Sequence, residues 1–306
     1  MKKLRVRSRV ISWLRRRLPS PPIWTFQQYS PRPLVSREII PPTLKQPLPR
    51  IAIVTPAYNH AQFLGATIDS ILVQNYPALA YHVQDGGSLD GTVELLKSYG
   101  GRISWRSQAD KGQGNAINLG FASMPGDSDI MAYLNSDDAL MPGTIAYVAG
   151  FFQNNPAVDI VYGHRIIIDH NGQETGRAVM PPHDALALKY IGYVPQETMF
   201  WRRKVWEKIG PIDEAFRFAL DWDFMIRAQN AGFKFVRLPR FLGCFRVHSE
   251  QKTSAMLGVG LEEMEKIRIR ENGHGITRAD MRRFVLPFLA KQFVYHWLYR
   301  FRAIGN

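Results

Sequence analysis

Acidic side chains stand next to each other where an apolar segment of the chain ends. The apolar run Ile130 to Leu134 leads directly into Asn135, Ser136, Asp137 and Asp138. Two adjacent carboxylates repel, and Mg²⁺ or Mn²⁺, which prefer oxygen ligands, would neutralise them and could also bind diphosphate oxygens. A pair of turn residues that cap the next helix is the alternative interpretation. The segment makes Asp137 and Asp138 candidate metal ligands.

A second pair of aspartates could take part in proton transfer. The segment from Leu220 to Phe224 opens a predicted helix, and Asp221 and Asp223 lie on different faces of that helix. One carboxylate can therefore face a cleft while the other caps the helix or forms an ion pair. A carboxylate close to a bound donor can act as general base on an acceptor hydroxyl. An ordinary helix cap is the competing interpretation.

Two glycine-rich segments could approach a ligand closely. In the first, Asp85 stands at a predicted strand end before Gly86 and Gly87, where it can accept hydrogen bonds from a nucleobase or ribose. The alternative interpretation of this segment is a tight turn that caps the following helix. The second, Asp110 to Asn115, combines an acid with Lys111 and could hold a nucleotide, or simply be a solvated loop.

The segment from Phe245 to Thr253 carries one histidine among basic residues. His248 could supply a nitrogen ligand to the metal, and Arg246 or Lys252 could neutralise a diphosphate. A single histidine can equally be structural, and both interpretations remain open.

Alternating strands and helices must position these residues. The order predicts an α/β fold with a mainly parallel sheet that is covered by helices on both faces. In such sheets ligands bind at the carboxyl ends of the strands, so the polar clusters 55–59, 85–88 and 135–138 should converge on one edge. Predicted strands are 51–54, 80–84, 103–106 and 130–134, and predicted helices are about 60–72, 91–99, 115–124 and 144–154.

The remainder of the chain suggests three regions. A basic, proline-rich arm occupies residues 1–49, the globular domain residues 50–255, and a helical extension residues 256–306. Asn171 and Gly172 indicate a hairpin turn. Pro287 should kink or divide the last helix. That helix is expected to pack on the domain, with membrane contact as the alternative.

The net charge of +13 is concentrated at the two ends. Residues 1–37 contain ten Lys or Arg and no acid, so this arm could contact an anionic membrane through its apolar residues Val10 to Leu14, or remain a solvated tail. Nucleic-acid binding is not expected because no recognition module accompanies the charge. Arg15 to Arg17 interrupt any signal peptide, and the single Cys244 predicts a buried thiol without a disulfide. These features favour a cytoplasmic location, with the inner face of the plasma membrane as the site of contact.

Taken together and in their order along the chain, these five motifs resemble the inverting glycosyltransferases of family 2, which have the Rossmann-like GT-A fold. The resemblance covers about Arg50 to Thr253. It implies that a nucleotide-sugar donor, usually with uridine diphosphate, is bound by the first half of the domain, and that Asp137 and Asp138 carry Mn²⁺ or Mg²⁺, with His248 kept as a further candidate ligand. It also implies that Asp221 is the catalytic base. With the glycine-rich loop included, the candidate donor-binding residues are Thr55, Pro56, Tyr58, Asn59, Asp85, Asp110, Lys111 and Asp137, and the candidate acceptor-side residues are Gln196, Glu197 and Trp222.

The chain departs from the family pattern at two positions. Asn135 stands where family members commonly have Asp, which puts the geometry of the metal site in doubt, and Gln84 stands where a second acid is often found. Gln84 is expected to turn away from the site.

The resemblance implies a hexosyltransferase that inverts the anomeric centre in one displacement on a glycan or lipid-linked acceptor, as in surface polysaccharide biosynthesis. Two other functions remain as alternatives. A nucleotidyltransferase is disfavoured because the segment 55–59 is not a glycine-rich phosphate loop. A noncatalytic sugar-binding or membrane-binding scaffold is disfavoured because Asp85, Asp137, Asp138 and Asp221 are all present.

Overall fold

A computed structural model describes residues 25–35, 39–249, 251 and 257–301. Nine strands form one sheet in the order β3-β2-β1-β4-β8-β6-β9-β5, and β7 pairs with β6. The strands are β1 Ile51–Ala57, β2 Leu79–Asp85, β3 Ser104–Ser107, β4 Ile130–Tyr133, β5 Ala139–Leu140, β6 Ile160–Ile168, β7 Glu174–Ala178, β8 Phe200–Arg202 and β9 Phe235–Arg246. The predicted α/β class is confirmed.

The helices lie between these strands along the chain. They are α1 Ala61–Leu72, α2 Thr92–Ser98, α3 Gln113–Ala122, α4 Thr144–Asn154, α5 Ala185–Leu188, α6 Arg203–Ile209, α7 Leu220–Asn230, α8 Leu257–Asn272, α9 Arg278–Asp280 and α10 Leu286–Arg300. Short 3₁₀ turns occupy Gly100–Arg102 and Gln196–Thr198, and a π-helical turn occupies Met281–Val285. All the strands and helices predicted for residues 51–154 are present, with ends displaced by at most a few residues.

The sheet is parallel in its first half and mixed in its second. Strand β1 pairs in parallel with both β2 and β4, and β3 extends β2 in the same direction. Every residue of β1 is buried, as expected for a central parallel strand that is covered on both faces. Strand β8 is antiparallel to β4 and β6, whereas β6 and β9 are parallel. The short β8 thus joins two parallel groups.

The predicted hairpin is present between β6 and β7. Its turn contains Gly172, whose φ of 78° is the left-handed backbone conformation that glycine adopts without strain. The carboxylate of Asp169 accepts backbone N–H groups from Asn171 and Gln173 and closes the turn.

The described part of the proline-rich arm lies against the domain. Arg32 forms a β-bridge with Glu174 of β7, and Ile39 is buried with its N–H donated to the carbonyl of Pro142. The side chain of Gln153 bonds to the backbone of Lys45 and Pro47. The arm therefore wraps the domain in these parts, while the predicted membrane segment Val10 to Leu14 lies outside the described residues.

The C-terminal extension packs partly onto the domain. Phe288 of α10 is fully buried, and Gln292 and His296 on the same helix face are also buried. Pro287 falls in the first turn of α10, directly after the π-helical turn, so it divides the helical tail as predicted. The predicted boundary at residue 255 lies outside the described residues. Among the helices described, none combines the length and apolar character needed to cross a bilayer.

Close packing of α3 on β1 gives a test of this architecture. A Cβ atom at Gly120 would lie 2.5 Å from Cγ1 of Val54, which is fully buried. We expect Gly120→Ala to lower the free energy of unfolding by about 1–3 kcal/mol through overpacking. Chemical denaturation at constant m-value measures the change.

The matched control is Gly258→Ala, which also places a methyl group on a helix but has open space around the new atom. It should leave stability unchanged or raise it by up to about 1 kcal/mol through helix propensity. Equal effects of the two substitutions would contradict the described packing of α3.

Candidate active site

A cavity of about 890 Å³ opens where β1, β2 and β4 end. Pro56 and Tyr58 line it from the end of β1, Gly86 from the end of β2, and Asp137 from the end of β4. These strands are parallel neighbours, so their carboxyl ends lie at one edge of the sheet. The polar clusters converge as the sequence predicts.

The second half of the domain supplies the opposite wall. Gln196 and Glu197 line the cavity from the 3₁₀ turn before β8, and Asp221 and Trp222 line it from the first turn of α7. Asp137 and Asp221 therefore face one shared cavity.

Asp221 has the electrostatic character of a general base. Its Oδ1 accepts the backbone N–H of Trp222 at 2.8 Å. Burial raises the pKa of the Asp221 carboxyl to about 6, although hydrogen bonds and the positive charge of Arg165 act in the opposite direction. A carboxyl with this pKa is ionised at neutral pH and is a stronger base than an exposed aspartate.

Asp223 has a different role from Asp221, as the sequence pattern allowed. Its side chain is fully buried on another face of α7, where Oδ2 accepts Nε of Arg227 at 2.7 Å and Oδ1 accepts Nη1 of Arg270 at 2.6 Å. Asp223 therefore ties α7 to α8 and does not line the cavity.

The loop before Asp221 is held by a residue that sequence analysis did not identify. Glu263 of α8 is buried and accepts the backbone N–H groups of Arg217, Phe218 and Ala219 at 2.8, 2.8 and 2.9 Å. These N–H groups directly precede the first turn of α7. The negative charge of Glu263 therefore also interacts favourably with the positive N-terminal end of the α7 dipole. A glutamate within a distant helix carried no local signal of this contact.

A second unpredicted feature is an ion pair in the cavity wall. Arg165 donates Nε to Oε1 of Glu197 at 2.7 Å and Nη2 to Oε2 at 2.5 Å. The guanidinium lies 4.4 Å from the ring centre of Phe245. The sequence does contain a signal for this ion pair. Arg165 interrupts the apolar strand 160–168, and a charged residue within a buried strand needs a partner of opposite charge.

The proposed metal ligands are only partly brought together. Nε2 of His248 lies 3.0 Å from Oδ2 of Asp137, so these two side chains share a site. Asp138 is buried, and its Oδ1 accepts the backbone N–H of Arg246 at 3.0 Å. Burial, and next the charge of Asp137, raise the pKa of the Asp138 carboxyl well above its ordinary value.

The donor set nevertheless fits a divalent cation. Asp137 offers a carboxylate oxygen beside an imidazole nitrogen, and Nδ1 of His248 is buried without a hydrogen-bond partner among the described residues. No group of three or more His, Cys, Asp or Glu in the described part of the chain is arranged around a common metal position. Diphosphate oxygens and water can complete the coordination of Mg²⁺ or Mn²⁺, which is seldom enclosed by protein ligands alone.

Arg246 does not have the predicted role of neutralising a diphosphate. Its guanidinium donates Nε to the carbonyl of Asp137 at 2.8 Å and Nη1 to the carbonyls of Asp169 and His170. These bonds attach the acidic segment to the hairpin. Lys252, the other predicted cation, lies outside the described residues.

The residues predicted to bind the donor divide into two groups. Pro56, Tyr58, Asp110 and Asp137 line the cavity, and Tyr58 is 62% exposed. The others named from the sequence, Thr55, Asn59, Asp85 and Lys111, are not among the lining residues.

Three of these other residues shape the wall from behind. The buried Asp85 accepts bonds from Gly87 N, Ser88 N, Ser88 Oγ and Ser107 Oγ, which occupy both of its oxygens. The backbone N–H of Asn59 donates to Oγ of Ser88, and Thr55 is buried and accepts the hydroxyl of Tyr81. Asp85 thus holds the loop from which Gly86 reaches the cavity.

The two departures from the family pattern have separate consequences. Gln84 is buried in the sheet, away from the cavity lining, as expected. Asn135 lines the cavity, accepts Nε2 of Gln113 at 2.6 Å and donates to Oε1 of Gln196 at 3.2 Å. An amide can donate and accept at once, whereas an ionised aspartate only accepts. The amide thus links both walls of the cavity.

The acceptor-side residues Gln196 and Glu197 lie in the 3₁₀ turn Gln196–Thr198, directly before strand β8. The hydroxyl of Thr198 donates to the carbonyl of Pro195 at 2.8 Å and closes the turn, and strand β8 begins only at Phe200. The turn still points Gln196 and Glu197 into the cavity.

Comparison with solved structures shows the same fold. The chain superposes on the Staphylococcus aureus protein TarS, residues 1–349 in complex with UDP-GlcNAc, with a TM-score of 0.56 and 15% identity over 80% of this chain and 73% of that one. It superposes on the mannosyltransferase PcManGT of Pyrobaculum calidifontis, in complex with GDP-Man and Mn²⁺, with a TM-score of 0.57 and 17% identity over 94% and 76%. The chain thus has the GT-A fold.

Sequence comparison identifies the family. The match to an uncharacterized glycosyltransferase of Nostoc sp. is 29% identical and spans 54% of each chain. The match to the PGL/p-HBAD biosynthesis glycosyltransferase of Mycobacterium tuberculosis is 30% identical and spans 58% of this chain and 69% of that protein. The profile of glycosyl transferase family 2 matches residues 52–214, more than half of the chain. This protein therefore belongs to glycosyl transferase family 2.

Proposed function

We propose that the protein is an inverting, metal-dependent hexosyltransferase that moves a sugar from a nucleotide-diphosphate donor, with UDP as the favoured nucleotide, to a hydroxyl of a glycan or lipid-linked acceptor. One observation carries the proposal: the Asp221 carboxyl, with a pKa raised to about 6, shares a cavity with Asp137. A volume of about 890 Å³ lies within the range of small-molecule sites and has room for a nucleotide sugar.

The nucleotide would lie on the wall formed by β1 and β2. Tyr58 offers an exposed aromatic face on which a base can stack, and Asp110 offers carboxylate oxygens to ribose or base donors. A Cβ atom at Gly86 would lie 2.8 Å from Oδ2 of Asp110 and 3.2 Å from Cδ2 of Tyr58, so a larger residue here would displace these side chains. Thr55, Asn59, Asp85 and Lys111 would act from behind or beside this wall.

The diphosphate would lie next to Asp137 and His248, whose side chains meet at 3.0 Å. A divalent cation, when bound there, neutralises charge on the diphosphate leaving group. Asp138 would support this position through the backbone of Arg246. The neighbour with GDP-Man and Mn²⁺ supports a metal in this fold.

The acceptor would enter between Asp221 and the wall formed by Gln196, Glu197 and Trp222. Trp222 donates Nε1 to the carbonyl of Leu188 at 2.7 Å, which fixes the ring where it lines the cavity. Asp221 would remove the acceptor proton as the oxygen attacks the anomeric carbon and the bond to the diphosphate breaks. A single displacement of this kind inverts the anomeric configuration.

A lipid-linked acceptor agrees with the surface of the C-terminal helix α10. Leu286, Phe293, Val294, Leu298 and Phe301 are exposed at spacings that place them on one helix face. Residues 281–301 contain four basic residues and no acid, which suits an anionic membrane surface. We propose peripheral contact with the inner face of the plasma membrane and a role in surface polysaccharide biosynthesis.

Failure of the chain to sediment with anionic vesicles would rule out the membrane contact.

Replacing the proposed base separates catalysis from folding. Asp221→Asn should reduce turnover by about 10²–10⁴-fold because the amide cannot accept the acceptor proton. Donor affinity should stay within about twofold, since Asp221 lies on the acceptor side. Product formation and calorimetric donor binding measure the two effects.

Asp223→Asn is the matched control, because Asp223 stands two residues away and does not line the cavity. Loss of its negative charge, and of one of the two oxygens that accept from Arg227 and Arg270, should lower the free energy of unfolding by about 1–3 kcal/mol. Turnover of the folded Asp223→Asn protein should stay near that of the wild type. Near-normal turnover of Asp221→Asn would refute the base assignment.

The pKa of Asp221 also predicts how the rate depends on pH. The base works only when ionised, so kcat/KM should fall about tenfold per pH unit below pH 6 and level off above it. Initial rates between pH 4.5 and 8 test this, with circular dichroism at each pH to show that the fold persists. A rate that stays constant down to pH 4.5 would indicate an unperturbed carboxyl or another base.

Binding of metal and nucleotide can be measured without catalysis. UDP with Mn²⁺ should raise the melting temperature of the wild type by several degrees, since about 2.7 kcal/mol is gained at a hundred times the Kd. Asp137→Asn should lose most of the part that depends on Mn²⁺. The control Asp127→Asn, which changes an exposed carboxylate paired with Arg50, should keep the full shift. A full shift in Asp137→Asn would exclude that residue as a ligand.

A further inference from the structure

A second pocket, of about 320 Å³, lies away from the active site. The N-terminal arm lines it with Tyr29 and Arg32, β7 with Arg177, and α10 with His296, Tyr299 and Arg300. None of these residues lines the large cavity. The pocket is therefore separate from the cavity in which sugar transfer is proposed.

The pocket has more positive than negative charge. Glu174 is the acid beneath it, and its carboxylate accepts bonds from Arg32, from Arg177 and from the hydroxyl of Tyr29. Arg300 is exposed and has no ion-pair partner within the described ranges. Three guanidinium groups against one carboxylate leave a local excess of two positive charges.

A buried imidazole in the pocket has an unused polar atom. His296 is only 5% exposed, and its Nε2 has no hydrogen-bond partner in the described part of the chain. Burial lowers the pKa of His296 to about 4, and the charge of Arg300 adds to this effect. The ring is neutral at pH 7, and an orphaned buried nitrogen carries a free-energy cost that a ligand atom would relieve.

Neighbouring groups add donors to the same space. The hydroxyl of Tyr299 accepts Nη1 of Arg177 at 2.6 Å, which leaves its own proton to be donated. Guanidinium, imidazole N–H and hydroxyl donors around one concavity form an environment for an oxyanion with several acceptor oxygens.

We propose that this pocket binds a phosphate group, with Arg300, Arg32 and Nε2 of His296 as its donors. A phosphate carries up to two negative charges, which match the local excess, and its oxygens can accept from several donors at once. Two sources supply this chemistry: a soluble phosphate compound, and a lipid headgroup, since Arg300 also borders the exposed apolar face of α10. The proposal does not depend on the transferase chemistry.

The test uses the full chain, with inorganic phosphate and pyrophosphate as soluble probes and vesicles of phosphatidylglycerol or phosphatidylcholine as lipid probes. Calorimetry should detect binding of a soluble probe, or sedimentation should show preference for phosphatidylglycerol. Arg300→Gln should weaken whichever binding occurs by at least about tenfold, the effect of losing a charge-assisted bond. The His296 ring resonances should shift when the probe binds.

Arg282→Gln is the matched control, because it removes the same charge from the same helical tail but does not line the pocket. It should change affinity by less than about twofold. Binding to soluble probes would assign a free phosphate compound, and binding to vesicles alone a lipid headgroup. Equal losses in Arg282→Gln and Arg300→Gln, or no binding to any probe, would overturn the proposal.

Discussion

The structure depends on holding several carboxylates close together at one edge of a sheet. Asp137, Asp138, Glu197 and Asp221 all line one cavity, and burial with mutual repulsion raises the pKa values of Asp138 and Asp221. Like charges in one low-dielectric site oppose folding unless cations or hydrogen-bond donors face them. The arrangement of the surrounding residues follows from this requirement.

Two arginines on the neighbouring strands β6 and β9 meet that requirement. Arg165 engages Glu197 with two hydrogen bonds and also acts electrostatically on Asp138 and Asp221. Arg246 holds the acidic segment by its backbone N–H and guanidinium. Both guanidinium groups bond to other groups of the protein. A bound cation would therefore supply positive charge next to Asp137 in addition to that of the two arginines. A site built in this way stores unfavourable electrostatic energy that a substrate with its metal would relieve.

The C-terminal extension contributes to the same centre although it contains no proposed catalytic residue. Glu263 fixes the backbone before Asp221, and Arg270 pairs with Asp223 on the far side of α7. The extension therefore positions the proposed base, while α10 presents an apolar, basic surface outward. The C-terminal extension thus supports the proposed base through α8 and supplies the proposed membrane contact through α10. The family profile ends at residue 214, before this part of the chain.

The sequence by itself determined the elements up to residue 154 and the edge at which their polar ends meet. Strand and helix periodicity and the parallel order are local or regular features, so Asp137 and Gly86 could be placed without coordinates. The five motifs in order also indicated the family. Only the tertiary structure decided which partners three side chains have. Asp85 accepts hydrogen bonds from its own loop, Arg246 donates to the hairpin, and Glu197 accepts from Arg165. A side chain that can accept from a ligand can also accept from the protein, and which partner it has depends on contacts between residues far apart in the chain.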